Sequence, residues 1–335
     1  MSGSTARVLV TGGAGTIGKA VVRRLERERD LAVRIVDYRL EGGEASEGRE
    51  AFQADLRDLA SARRAVAGCA QVVHLAAIVG GIANFHKLPY TLLEANNALY
   101  NSLFRAAIEA RVERFVYVSS SMAFERAQEF PTTEESLART LTPHSSYGFS
   151  KLSGEYYCRA AHDELGLPFS IVRPFNAYGP GELPGEEPGI AHLVPDLIER
   201  SLRGERPLKI FGSGEQTRTL THVDDIADGI AAALTHPAAL GEDFNVSANE
   251  ELTVKEIAAI VWEACGNDPA ALELEHLPSF EVDVQRRWPS TEKARRLLGW
   301  EARIGVREGI ADTVRWFRSR ASETGLAAPP PRAAS

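Results

Sequence analysis

The chain is short of cysteine, of lysine and of long apolar runs, and each shortage narrows what it is. Three cysteines in 335 residues, Cys69, Cys158 and Cys265, stand far apart and form no CxxC pair. Neither a disulfide framework nor a cysteine metal centre is therefore expected, and the three read as small buried hydrophobes. No apolar stretch reaches the roughly 18 residues of a membrane span, and the N-terminus lacks a charged-then-apolar leader before its first strand. The expected location is the cytoplasm. Lys and Arg total 38 against 46 Asp and Glu, a net charge of −8 with no long basic run. That balance argues against nucleic acid or an anionic membrane as a partner, since either needs a basic face. At 44% hydrophobic and 25% charged residues, the composition is that of a globular chain with a full core.

What is present is a rhythm. Apolar, β-rich runs at 7–11, 32–37, 52–55, 71–76, 114–119 and 169–173 alternate with helix-period segments at 16–29, 91–110 and 147–165. Nearly all-apolar strands separated by helices predict a parallel sheet covered on both faces, the doubly wound α/β (Rossmann) pattern. After Pro174 the rhythm breaks, and residues 179–189 carry too much Pro and Gly for anything but a surface loop. Shorter helices at 190–203, 224–236, 255–264 and 306–319, with brief strands at 208–211 and 244–246, predict a smaller C-terminal substrate-binding lobe. The expected division is a Rossmann domain of 1–175 with about 219–240, a lobe of 176–218 with 241–322, and a disordered tail at 323–335.

Thr11-Gly12-Gly13-Ala14-Gly15-Thr16-Ile17-Gly18 lies between the first strand and the first helix. Gly13, Gly15 and Gly18 fit GxGxxG, and Gly12, Gly15 and Gly18 fit GxxGxxG. Glycines in a strand–turn–helix setting let a pyrophosphate reach the backbone and the positive end of the helix, with Thr16 and Ile17 opening that helix. Asp37 ends the second strand about 20 residues on, where a carboxylate accepts ribose hydroxyls and repels a 2′-phosphate. NAD is thus favoured over NADP, although Arg39 keeps the second open. Asp55, followed by Leu56, reads either as an acceptor for the adenine amino group or as a loop cap. Leu75, Ala76 and Ala77 place small side chains where the cofactor backbone passes.

Ser119-Ser120-Ser121 ends the fifth strand, and Tyr147 and Lys151 stand four apart on one face of the next helix. An ammonium so placed lowers the phenol's pKa and reaches the nicotinamide ribose, and the tuned phenol exchanges a proton while hydride moves. There are six lysines against 32 arginines, so a lysine at this spot is notable, and a compact ammonium tunes a proton transfer better than a guanidinium.

With these motifs in order, the sequence resembles the extended short-chain dehydrogenases/reductases, and within them the nucleotide-sugar epimerases and dehydratases. The resemblance runs from about residue 7 to 318 and rests on TGGAGTIG, Asp37, DLRD at 55–58, LAA at 75–77, RFVYVSSS at 114–121, YGFSK at 147–151, RPFNAYGPG at 173–181, QTRTLTHVDDIADGI at 216–230 and KARRLLGW at 293–300. It implies Ser120 as the catalytic hydroxyl, Tyr147 as acid/base and Lys151 as its partner. It also implies Asn176 on the sugar diphosphate, His192 and Leu193 beside the nucleobase, and Arg218 with one of Arg286 or Arg287 on the diphosphate. Arg287 departs from the family pattern in being followed by Ser290 where an Asp is usual. The loop holding Gly80 and Gly81, and Ser121, are implied to face the sugar.

The family divides at the positions after the catalytic Ser. Dehydratases carry an acidic pair there and decarboxylating members a Glu at the second position; this chain has Ser121 and Met122. Loop 79–82 is similar to that of members that epimerise at C3 and C5, the GDP-fucose synthases among them, but the Cys those use as carbon acid/base corresponds to Met122. The resemblance therefore implies 4-epimerisation of a UDP- or GDP-linked sugar with tightly held NAD. A 3,5-epimerase or epimerase/reductase, and a dehydrogenase or reductase with exchangeable NAD(P), are the alternatives. Glu182, Glu186 and Glu187 stand where an Arg pairs a uronate carboxylate in the uronic-acid epimerases, so a neutral or amino sugar is expected. A homodimer through helices 91–110 and 147–165 is implied as well, with Leu92, Leu99, Leu103 and Phe104 as its apolar face.

Overall fold

The computed structural model describes residues 6–28, 30–40, 42, 45, 49–79, 87–185, 191–279 and 284–323. The first half runs β1 (Ala6–Thr11), α1 (Thr16–Leu25), β2 (Leu31–Asp37), β3 (Arg49–Gln53), α2 (Leu59–Val66), β4 (Gln71–His74), α3 (Pro89–Ala110), β5 (Arg114–Val118), α4 (Ser146–Leu165) and β6 (Phe169–Pro174). The second half runs β7 (Ala177–Tyr178), α5 (Leu193–Leu202), β8 (Leu208–Phe211), β9 (Thr217–Thr219), β10 (Thr221–His222), α6 (Val223–Thr235), β11 (Asp243–Val246), β12 (Glu251–Thr253), α7 (Val254–Ala264), β13 (Leu274–Leu277), α8 (Glu292–Leu298) and α9 (Val306–Glu323).

Seven strands form one parallel sheet in the order β11-β6-β5-β4-β1-β2-β3. Side chains alternate across it, so Val8 and Val10 of β1 enter one core and Leu9 the other, all fully buried. Helices α1 and α6 complete the first core; α2, α3 and α4 complete the second. The chain walks outward from β1 to β3 and then returns to lay β4 on the other side of β1, and the crevice opens at that reversal. A third core, with Leu197, Ile257, Trp262 and Ile310, joins α5, α7 and α9 into the smaller lobe. Among the described residues no helix is long and apolar enough to cross a membrane.

The doubly wound expectation holds, with differences that have local causes. Helix α2 lies where the rhythm predicts no element: the Asp58 carboxylate accepts the Ser61 N–H at 2.8 Å, and Ala62, Ala65 and Val66 are buried beneath it. The strand expected at 52–55 lies at Arg49–Gln53, which leaves Asp55 just past its end. Strand β11 pairs with β6 in the main sheet, and Trp300 after α8 is buried in the first core. Both segments therefore sit with the Rossmann sheet rather than with the lobe to which a boundary at 241 assigns them. The expected tail begins at the last residue of α9, Glu323, and its remainder is outside the described residues.

A Cβ on Gly18 would stand 2.1 Å from the Gly12 carbonyl oxygen, whereas one on Gly166, which ends α4, would meet nothing within 4 Å. We expect Gly18→Ala to cost about 1–3 kcal/mol through forced separation of α1 from β1. Gly166→Ala carries only the left-handed backbone penalty, about 1–2 kcal/mol. Denaturant titration checks both, with dinucleotide affinity lost in the first alone.

Candidate active site

The C-terminal ends of β1, β4 and β5 and the start of α4 open into a cleft of about 1260 Å³ that continues into the lobe. The residues singled out above for cofactor, chemistry or substrate line it, apart from Gly13 and Arg286; Gly80, Gly81, Glu186 and Glu187 lie outside the described residues.

The dinucleotide end is built by close approach. Gly12 has φ +70°, and a Cβ there would meet the Ala76 nitrogen at 2.8 Å, so only glycine lets β1 lie against 75–77. Gly15 is the N-cap of α1 and brings no side chain to it, which leaves the first N–H groups of that helix for the oxygens of a ligand. Gly13 is a packing residue instead, its Cβ position 2.7 Å from Ile35 Cγ2. The pattern that builds the cradle is thus Gly12-Gly15-Gly18. Asp37 accepts the Ala14 N–H at 3.1 Å and the Arg39 N–H at 3.2 Å, and its carboxylate keeps lone pairs for ribose hydroxyls. Asp55 is both loop acceptor and ion-pair partner: it takes the Arg57 N–H at 3.0 Å and the Arg57 guanidinium at 2.7 Å. That guanidinium holds the carboxyl below the usual range and itself lies 5.8 Å from the Tyr38 ring. These groups, with a cradle that any Cβ would fill, fit the pyrophosphate and adenosine of NAD.

At the chemical end, Ser145 caps α4 through the Gly148 N–H at 3.0 Å and aims Tyr147 and Lys151 inward, where both are buried. Ser120 Oγ accepts the Met122 N–H at 3.1 Å, starting a short 3-10 turn at Ser121–Phe124, and also hydrogen-bonds Tyr147. Burial pushes the Tyr147 phenol up to about 12, against the pull of that bond and of the Arg287 charge. Burial pushes Lys151 down to about 8, against the Glu155 carboxylate. The expectation that Lys151 lowers the Tyr147 pKa is corrected here. The ammonium turns to the Val118 carbonyl at 2.9 Å, over the Tyr117 ring, and the cation that lowers Tyr147 is Arg287.

On the substrate side, Asn176 has φ 41°, a conformation that Asn tolerates better than most residues. Its amide donates to Thr219 O at 2.9 Å and accepts Arg287 Nη1 at 3.3 Å. Arg287 also touches Met122 Sδ. Arg286 turns outward, bonded to Glu251 at 2.7 Å and set against the Phe130 and Trp288 rings. Of the two arginines left open, only Arg287 lines the cleft. Ser290, in place of the usual Asp, offers its hydroxyl to the Glu292 N–H at the start of α8. Arg218 is steadied by the carbonyls of Thr217 and Val284, each at 2.7 Å. His192 heads α5 and meets Glu182, whose charge raises the imidazole pKa.

Sequence reasoning missed Glu155, Arg173 and Asp243, which form a buried ion-pair group directly behind Ser119. The signal was present for two of them: Glu155 continues the Tyr147–Lys151 spacing by four, and Arg173 interrupts an otherwise apolar strand. Glu125, which accepts the Ser145 N–H at 2.9 Å on the cleft wall, gave no signal.

Residues 8–247 match the NAD dependent epimerase/dehydratase family, and the chain belongs to it. It is 31% identical to a UDP-glucose 4-epimerase of Mycolicibacterium smegmatis, over 94% of this chain and 99% of the relative. It is 30% identical to a dTDP-glucose 4,6-dehydratase of Streptomyces griseus, over 95% and 96%. Among solved structures it resembles the UDP-glucose 4-epimerase of Thermotoga maritima, crystallised with UDP-glucose, at TM-score 0.84 and 30% identity over 94% of this chain and 99% of the other.

Tyr147→Phe is expected to lower kcat by roughly 10²–10⁴-fold with NAD binding retained, as loss of a proton-transfer group does. Because Lys151 sits near 8, its charge is present below that pH and lost above it. kcat/KM should therefore fall as pH rises through about 8, well before Tyr147 titrates, and a pH–rate profile checks this.

Proposed function

We propose that this protein is an NAD-dependent epimerase that inverts C4 of a UDP-linked sugar through a transient 4-keto sugar. Bound NAD supplies the acceptor and donor of hydride. Tyr147 takes the C4 hydroxyl proton and later returns it, while Ser120 hydrogen-bonds the same oxygen. Lys151 contributes a buried positive charge beside them. Arg218 and Arg287 hold the diphosphate through their planar forks, so the ketosugar turns over while its nucleotide stays fixed.

The observation that carries this reading is Met122. It lines the cleft next to Ser121 and is 5% exposed, at the position where a dehydratase or a carbon-epimerising enzyme needs an ionisable group. A thioether exchanges no proton, so this position offers no carbon acid/base, which supports chemistry at the C–OH group that Tyr147 serves. The similarity to UDP-glucose 4-epimerases supports the same reading.

Glu182 lines the cleft beside His192, which favours a neutral or amino sugar over a uronate. UDP-glucose or UDP-N-acetylglucosamine should be turned over at least roughly tenfold faster than UDP-glucuronate, and Glu182→Gln should narrow that ratio. GDP-sugars assayed in the same panel test the nucleobase. Equal rates on neutral and acidic sugars would refute the charge argument.

We propose the dimer on the same two helices the sequence names, α3 and α4, but through other side chains. Leu92, Leu99, Leu103 and Phe104 are buried in this chain's own structure, at 6% exposure or less. The large apolar groups that α3 and α4 leave outside are Tyr90, Phe149, Tyr156 and Leu165, at 79%, 43%, 69% and 57% exposure. Light scattering should give a dimer for the native chain and a monomer for Tyr156→Asp.

A further inference from the structure

Behind Ser119 the fold buries three formal charges and half-buries a fourth. The Glu155 carboxylate accepts Ser119 Oγ at 2.6 Å, Arg173 Nε at 2.7 Å and Arg173 Nη2 at 2.6 Å. Arg173 Nη2 also reaches Asp243 at 2.7 Å, and Asp243 in turn accepts Lys293 Nζ at 2.7 Å. Glu155 is 1% exposed and Arg173 0%. Desolvating such a group is expensive, and apolar side chains of equal volume often stabilise as well. Stability alone is therefore a poor reason for it to be there.

Its position is more telling. Glu155 stands one helical turn after Lys151 and two after Tyr147 on the same face of α4. Ser119 immediately precedes Ser120. Arg173 lies on β6 shortly before Asn176, with its guanidinium 5.3 Å from the Phe124 ring that closes the 3-10 turn begun by Ser120. The group thus joins the three segments that carry the hydroxyl, the phenol and the diphosphate arm.

We propose that Glu155 is a positioning residue for the chemistry: it clamps Ser119, and with it Ser120, to the helix bearing Tyr147 and Lys151, and is the buried anion acting on the Lys151 ammonium. The proposal rests on the Ser120–Tyr147–Lys151 reading. Lys151 has Tyr147 and Glu155 one turn to either side on its own helix, of which Glu155 acts on its charge; the Val118 carbonyl, His74 and Tyr117 face it from β5 and β4, and Tyr100 from α3 hydrogen-bonds Tyr117. Around Glu155 stand Ser119 and Arg173, bonded to it directly, then Lys151, Tyr117 and Cys158, and, beyond Arg173, Asp243 with its partner Lys293. Of the first set, Glu155 is the acid; it raises the Lys151 pKa against burial.

Glu155→Gln keeps the shape and removes the charge. In the NAD-loaded protein, carbon-13 NMR of the six labelled lysines, with Lys151→Arg to assign the signal, reads the Lys151 titration without turnover. We expect its midpoint in Glu155→Gln to fall by roughly one pH unit or more, and kcat to fall about tenfold or more with KM within twofold. A midpoint that stays, or a kcat that stays, overturns the proposal. If Glu155→Gln does not fold, Ser119→Ala decides: a several-fold loss of kcat at unchanged KM and melting temperature supports the clamp, and native kcat overturns it. Tyr147→Phe assayed in parallel separates the two layers. Inactive Tyr147→Phe beside native-like Glu155→Gln and Ser119→Ala refutes the clamp alone, whereas active Tyr147→Phe refutes the underlying trio.

Discussion

The Gly12 carbonyl and the first turn of α1 lie so close that a Cβ on Gly18 would overlap the carbonyl oxygen, and a Cβ on Gly12 would overlap the Ala76 nitrogen. This contact brings the end of β1, the start of α1 and the segment after β4 to one point, at the reversal of strand order. Everything downstream depends on it. The helix terminus meets the cleft there, Asp37 is tied to the same loop through Ala14, and the crevice that continues past Ser120 into the lobe starts from it.

Burial does the second part of the work. A phenol and an ammonium taken from water both resist charging, so Tyr147 rises to about 12 and Lys151 falls to about 8, and two groups that titrate together in water are driven apart. The site then needs charges from outside the pair. Arg287 reaches in from the lobe and lowers the phenol, and Glu155, one turn further along α4, raises the ammonium.

Local features were the legible ones. Strand and helix periods gave the parallel sheet, and the spacing of Gly12, Gly15 and Gly18, of Asp37, and of Tyr147 with Lys151 placed those residues on one cleft wall. What stayed hidden was non-local. The pairing of β11 with β6 joins segments far apart in sequence, and no periodicity carries that. Arg286 and Arg287 are adjacent and alike, and only the Phe130 and Trp288 rings and Glu251 draw the first outward. The turn of Lys151 toward Val118, like the burial of the named α3 leucines within this chain, depends on packing that a linear reading does not contain. Helix α2 was within reach, since Asp58 is a sound cap before a short apolar period.

The central claim is that hydrogen leaves and returns to C4 within one closed site, with no carbon acid/base at Met122. Incubating the NAD-loaded protein with UDP-glucose in heavy water and reading the product by NMR tests it directly. The account predicts inversion at C4 with no solvent deuterium on any sugar carbon. Deuterium at C3 or C5 would contradict it and assign the chemistry to a carbon-epimerising enzyme instead.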